Sequence, residues 1–253
     1  MNAVRDTGLI FHNHVRQNLR NPTWVIILVV QPLLYLVLFG PLLENLGAAY
    51  AGGVDPWLVF TPGMILMIAI FGSAFAGFGM VVELRSGVIE RERVTPASRT
   101  ALLLGRVAKD VLVLLMQSLL LVAIAVLAFG VRPSPAGLAL TLLLIALVGA
   151  GFASASYMLA LRTRSEGGMA SVLNSITVPL LLLSGILLPM TLAPGWLEGI
   201  SRANPLSYTV DAIRALFAGE FAASEVAVGS AVTVVVAVLL AVAGARTFRR
   251  DNA

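Results

Sequence analysis

Six long stretches with no ionisable side chain decide what this chain can fold into. They cover 24–43, 57–82, 111–129, 137–161, 170–188 and 226–245, and none holds Asp, Glu, Lys, Arg or His. A helix needs about 20 mainly apolar residues to cross the hydrocarbon core of a bilayer. A closed barrel would show short alternating segments instead. Continuous runs predict helices, which satisfy their own backbone groups in lipid. Composition agrees: 58% of the 253 residues are hydrophobic and only 12% charged, with a mean hydropathy of +0.94. A soluble domain carries about 25% charged residues. A water-soluble globular enzyme and a disordered chain are both excluded. The expected fold is an all-α membrane protein with six transmembrane helices, and a single transmembrane domain spans 1–253.

Charge sets the expected orientation. Arg5, Arg16, Arg20, Arg85, Arg91, Arg93, Arg99, Arg106, Lys109, Arg162, Arg164, Arg246, Arg249 and Arg250 fall on one side of the six runs; Arg132, Arg202 and Arg214 fall on the other. Cytoplasmic loops carry the excess of Lys and Arg. The first side is therefore expected in the cytoplasm together with both termini, as an even number of spans requires. The first 23 residues are too polar for a signal-peptide core, so the first run is expected to act as its own insertion signal. Trp24, Trp57 and Trp196 stand at span ends, where indole prefers the interface.

Several chemistries are closed to this chain. It has no cysteine, which removes disulfides, thiolate zinc sites, iron–sulfur clusters and cysteine nucleophiles. Its two histidines, His12 and His14, precede the first run and are too close in sequence to face one metal from a helix. The only lysine, Lys109, lies between Ala108 and Asp110. An ATP-binding phosphate loop needs Gly-Lys followed by Ser or Thr, so no such loop is present. The net charge of +4 is spread over short loops, which fits membrane topology and not nucleic acid.

The uncharged interiors carry a functional message. Ion-coupled transporters place ionisable groups near the midplane; the polar groups inside these runs are mild, Gln31, Ser73, Gln117, Ser118, Asn174, Ser175 and Thr177 among them. Such groups serve interhelical hydrogen bonding or line a pathway. Gln31, Tyr35, Phe71, Phe75, Asn174 and Thr177 are the candidate pathway-lining residues. Small residues recur four apart in 72–77 and 149–155, which allows close helix approach within one subunit or between subunits. Pro32 and Pro179 are expected kinks. Any uphill movement through such a chain must draw its energy from elsewhere.

Three segments outside the runs carry further signal. Residues 1–23 set Val4, Phe11, Val15 and Leu19 along one helical stripe, with Arg5, Asp6, His12, Arg16 and Arg20 on other faces; this is the pattern of an interfacial helix. Residues 83–106 mix charges densely: Glu83, Arg85, Gly87, Glu90, Arg91, Glu92 and Arg93 precede Thr95-Pro96, and Ser98 is placed to cap the next helix. A short charged helix held at a membrane face is a docking surface for a soluble partner. Residues 189–225 are too charged for a span. Within them Asn204 is expected to cap a helix opened by Pro205, with Tyr208, Asp211 and Arg214 near one face.

These segments resemble the permease subunits of ABC-2 type exporters, notably the daunorubicin-resistance permease group. The residues that carry the likeness are Glu83 to Arg91, Thr95-Pro96-Ala97-Ser98-Arg99 with Gly105-Arg106, and Asn204-Pro205-Leu206-Ser207-Tyr208 with Asp211-Ala212-Ile213-Arg214. The likeness implies a permease dimer, of identical or related copies, working with two separate ATPase subunits that bind ATP and Mg; this chain itself would hold no cofactor and catalyse nothing. It implies that 83–93 is the coupling helix, that Arg162 and Arg164 stand in a smaller second contact, and that 189–225 dips back toward the membrane as an outer gate. The setting implied is the cell membrane of a bacterium, with lipid around the spans. The cargo suited to uncharged spans is hydrophobic or amphipathic, a drug, an antibiotic or a lipid-like compound. An ion-coupled secondary carrier and a non-transporting membrane scaffold are the rival readings.

Overall fold

A computed structural model describes residues 30–38, 56–87, 99–187 and 189–251. The described residues are helical and turn segments. α1 covers residues 30–38. α2 is Pro56–Ala74, α3 Ala76–Arg85, α4 Arg99–Phe129, α5 Pro135–Thr163, α6 Glu166–Leu182, α7 Gly195–Ser201, α8 Pro205–Ala218 and α9 Ser224–Asp251. A single 3-10 turn, Met190–Leu192, precedes α7.

Local chemistry explains several of these boundaries. Ser134 caps α5, accepting from the amide of Gly137, and Pro135 opens the helix. A proline in the first turn loses only an amide that had no helical partner. Ser165 caps α6 through the amide of Gly168. Asn204 caps α8 through the amide of Leu206, with Pro205 behind it. Gly219 ends α8 with φ +89, a left-handed conformation that costs other residues a Cβ clash. α2 and α3 nearly join: Phe75 alone lies between them, and its amide still bonds the carbonyl of Phe71.

Four helical segments are long and apolar enough to cross a membrane: Trp57–Arg85, Leu102–Phe129, Pro135–Thr163 and Ser224–Phe248. They match four of the six expected runs. The run at 170–188 differs. Its helix α6 has 17 residues and ends at Leu182, a length of about 26 Å at 1.5 Å per residue. A chain of turns at 183–187 follows it. Only 30–38 of the first run are described. The expected interfacial helix at 1–23 lies outside the described residues.

α5 runs through the middle, touching α2, α3, α4, α6, α8 and α9. The small residues on it explain how. A Cβ on Gly151 would stand 2.9 Å from the Cα of Ala237, and one on Gly244 would stand 2.6 Å from the carbonyl oxygen of Ser154. On the other side, the amide of Gly77 donates to Ser156 Oγ at 2.9 Å, and Ser156 Oγ donates to the carbonyl of Ala74. Small residues thus let the backbones of α2, α3 and α9 approach α5, so the small-residue runs at 72–77 and 149–155 make packing contacts inside one chain.

The chain alternates between two ends. At one, Trp57 opens α2 and stacks on Phe129, the last residue of α4, with centroids 4.2 Å apart. At the other, Met80, Val81, Leu102, Leu103, Tyr157, Leu161, Met169 and Phe248 share one apolar cluster. α7 and α8 belong to the Trp57 end; the termini of α3 and α5 and the starts of α4 and α6 belong to the other.

Candidate functional site

At the Met80–Phe248 end, ion pairs join three helices and a hydrogen bond adds a fourth. Glu83 and Arg85 are on the last turn of α3. Arg106 of α4 pairs with Glu83, and the Arg106 side chain is only 4% exposed. Arg85 pairs with Glu166 of α6 at 3.1 Å, in the open. One turn further along α4, Lys109 lies 2.6 Å from Asp110, and the hydroxyl of Tyr157 on α5 donates to that same carboxylate. The end of α3 at Ser86 and Gly87 is therefore tied to α4 and α6, with α4 tied in turn to α5.

Gly87 takes φ +72, the left-handed turn at which the chain leaves α3. Glu90, Arg91, Glu92 and Arg93 lie outside the described residues. Arg162, on the last turn of α5, and Arg164, which follows it, stand exposed nearby. Arg164 itself adopts φ 48, bonds the carbonyl of Ala160 through its amide, and donates from Nε to the carbonyl of Leu161 at 3.3 Å. It closes α5 where a glycine would ordinarily do so.

The opposite end is built around the carbonyls left free where α6 stops. Asn204 Nδ2 donates to the carbonyl of Leu180 at 2.7 Å. Ser207 Oγ donates to Leu183 at 3.1 Å. Arg214 donates to Gly185 at 2.7 Å, and its Nε reaches the carbonyl of Val59 in α2 at 3.1 Å. α8 therefore satisfies the orphan acceptors of another helix with three side chains spaced along its length. Pro205 opens α8, and Tyr208 donates to the carbonyl of Arg202 at 3.0 Å. Of the residues expected near one face, Asp211 and Arg214 are in contact, with Asp211 facing outward in part and the Arg214 side chain 12% exposed; Tyr208 is half-buried.

Electrostatics at this end are asymmetric. Arg214 and Asp211 are 3.5 Å apart. Burial lowers the Arg214 guanidinium to about 10, against the pull of Asp211. Burial also raises the Asp211 carboxyl above its usual range, partly offset by Arg214 and reinforced by Glu225. Removal from water opposes both charges, and the carbonyl contacts of Arg214 compensate one of them.

The candidate pathway residues differ in exposure. Gln31 is exposed and Tyr35 half-buried on α1. Phe71 and Phe75 stack with centroids 6.1 Å apart at the α2–α3 junction. On α6, Asn174 is exposed whereas Thr177 is buried. Sequence reasoning passed over Lys109, Asp110 and Tyr157. The signal available for them was Arg106 and Asp110 four apart immediately before an apolar run, which places both on one helical face.

Comparison with known proteins is consistent across the chain. Residues 5–218 match the family model described as ABC-2 type transporter. The daunorubicin resistance ABC transporter permease protein DrrB1 of Streptomyces coeruleorubidus is 28% identical over 235 residues, which is 92% of this chain and 82% of that protein. A putative transport permease, ycf38, of Cyanophora paradoxa is 28% identical over 200 residues, 78% of this chain and 69% of that protein. The probable doxorubicin resistance ABC transporter permease protein DrrC of Mycobacterium tuberculosis is 26% identical over 193 residues, 76% of this chain and 69% of that protein. With its long apolar helices and with most of its length matched, the chain is a membrane permease of the ABC-2 type transporter family.

Proposed function

We propose that this chain is the membrane-spanning subunit of an ATP-driven exporter. It moves a hydrophobic or amphipathic compound outward, and a separate ATPase subunit supplies the energy. The carrying observation is the anchoring of α3: Glu83 and Arg85 at its end pair with Arg106 and Glu166. A push delivered to the end of α3 would move α4 and α6 with it. The chain itself has no Gly-Lys-Ser/Thr phosphate loop, so ATP and Mg would be held by the partner.

In this account Arg85, Arg106, Lys109, Arg162, Arg164 and Arg246 face the cytoplasm. Two ATPases serve two permease copies. Glu83 to Arg93 form the coupling helix, and Arg162 with Arg164 make the second contact. Residues 204–214 act as the outer gate. Reversing the populations of inward and outward states from 1:99 to 99:1 takes about 5.5 kcal/mol of differential binding, which ATP-driven association of two ATPases can deliver. Relatives named for daunorubicin and doxorubicin resistance, together with spans poor in charge, favour an amphipathic cargo.

The test is ATP-dependent accumulation of doxorubicin in inverted membrane vesicles that contain this chain and its ATPase. Glu90→Ala and Arg91→Ala should leave insertion intact while separating ATP turnover from uptake. Uptake that needs no ATP and collapses with an ionophore would replace this reading with a secondary carrier. Normal uptake in both variants would remove the docking role of 83–93.

A further inference from the structure

The Asp110–Tyr157 contact has no part in docking or gating as set out above, yet its placement is unusual. α4 begins at Arg99, so Asp110 sits about 16 Å along it at 1.5 Å per residue. That is within the segment Leu102–Phe129, long and apolar enough to span. Tyr157 is 2% exposed and six residues short of the end of α5, well inside the bundle. The Asp110 side chain is 13% exposed, and a carboxylate so far removed from water is costly unless paired. Here it has two partners, the Tyr157 hydroxyl and the Lys109 ammonium.

Geometry joins this pair to the one at the rim. Arg106 and Asp110 are four apart on α4 and lie on one face. Arg106 reaches α3 through Glu83 and Asp110 reaches α5 through Tyr157. A single face of α4 thus presents a cation to α3 and an anion to the helix at the centre of the fold. Around them Val107, Leu103, Met80 and Val81 are buried, which keeps water from competing for the contacts.

We infer that Asp110 and Tyr157 are positioning residues which transmit displacement of α3 through α4 to α5. This rests on the ATP-driven reading above and deepens it. Without the hydroxyl, α4 and α5 still pack, but α4 can slide or turn against α5 at little cost. Movement of α3 would then be absorbed near the rim.

The absence of cysteine makes a direct test practical. In the complex with its ATPase, spin labels on Ser86→Cys with Gly167→Cys report the rim. Labels on Leu140→Cys with Val228→Cys report the far ends of α5 and α9. With the native Tyr157, ATP should change both distances. Tyr157→Phe keeps the ring and removes one oxygen. It should keep the rim change and ATP turnover, and cut the fraction of complexes that show the far change about five- to tenfold, the scale of one ordinary hydrogen bond. A far change of full size in Tyr157→Phe overturns the inference alone. So does a loss explained by lower complex yield or melting temperature, because that marks a merely structural contact. No ATP-dependent change at either end of the native complex overturns the ATP-driven reading beneath it.

Discussion

The guanidinium of Arg214 lies 2.7 Å from the carbonyl of Gly185 and 3.1 Å from that of Val59, joining α8 to the turn after α6 and to the start of α2. A planar fork with donors on several nitrogens fits this divergent set of acceptors, and a point-charge ammonium does not. Arg214→Lys should therefore cost roughly 2 kcal/mol of stability, because at least one buried carbonyl loses its donor. Denaturant unfolding in detergent measures it. A loss under about 0.5 kcal/mol would place the variant among ordinary surface changes and discard the clamp.

Acidity should act on the same clamp in a defined direction. Burial raises the Asp211 carboxyl in the folded state. A raised folded-state value means stability is fully present below the unfolded value and is lost as pH rises through the folded one. Relative to Asp211→Asn, the native protein should thus gain in melting temperature as pH falls from neutral toward the carboxylate range. A native protein that loses ground to Asp211→Asn over that interval contradicts the assignment.

Close approach at α5 predicts a sharp positional contrast. Gly151→Val would drive a branched side chain into the backbone of α9, where the nearest atom is already 2.9 Å from a Cβ. Overpacking of this kind costs about 1–3 kcal/mol. Gly199→Ala meets nothing within 4 Å and should leave stability unchanged or slightly raised. Equal losses in the two would show that packing against Ala237 is not what Gly151 provides.

The Glu83–Arg106 pair should behave as a buried pair despite its place near the rim. Arg106→Ala leaves the Glu83 carboxylate without its main partner, at a cost of about 3 kcal/mol. Glu83→Gln keeps a hydrogen-bond acceptor for Arg106 and should cost less. Chemical unfolding of both variants decides it. The reverse order would mean that Arg106 draws its stability from elsewhere.

Hydropathy made the span interiors legible because lipid demands unbroken apolar surface. It misplaced their ends wherever charge was satisfied inside the fold. The run beginning at residue 111 belongs to a helix beginning at Arg99, since Arg106, Lys109 and Asp110 find partners on α3, α4 and α5. The run at 170–188 reads as one span, yet α6 stops at Leu182. Its later residues stay apolar while their carbonyls are taken up by Asn204, Ser207 and Arg214, a long-range pairing that no local pattern encodes. The Asn204 cap was legible, because cap and first-turn proline are adjacent in sequence. The Tyr157–Asp110 contact was not, because its partners are 47 residues apart.

Purification of the native complex tests the central claim most directly. The chain, solubilised from its own membrane and captured by a tag, should bring down a soluble ATPase in about equal amount, and the eluate should hydrolyse ATP. Repeated recovery of the folded chain without any ATPase, under conditions that keep other membrane complexes whole, would contradict the account.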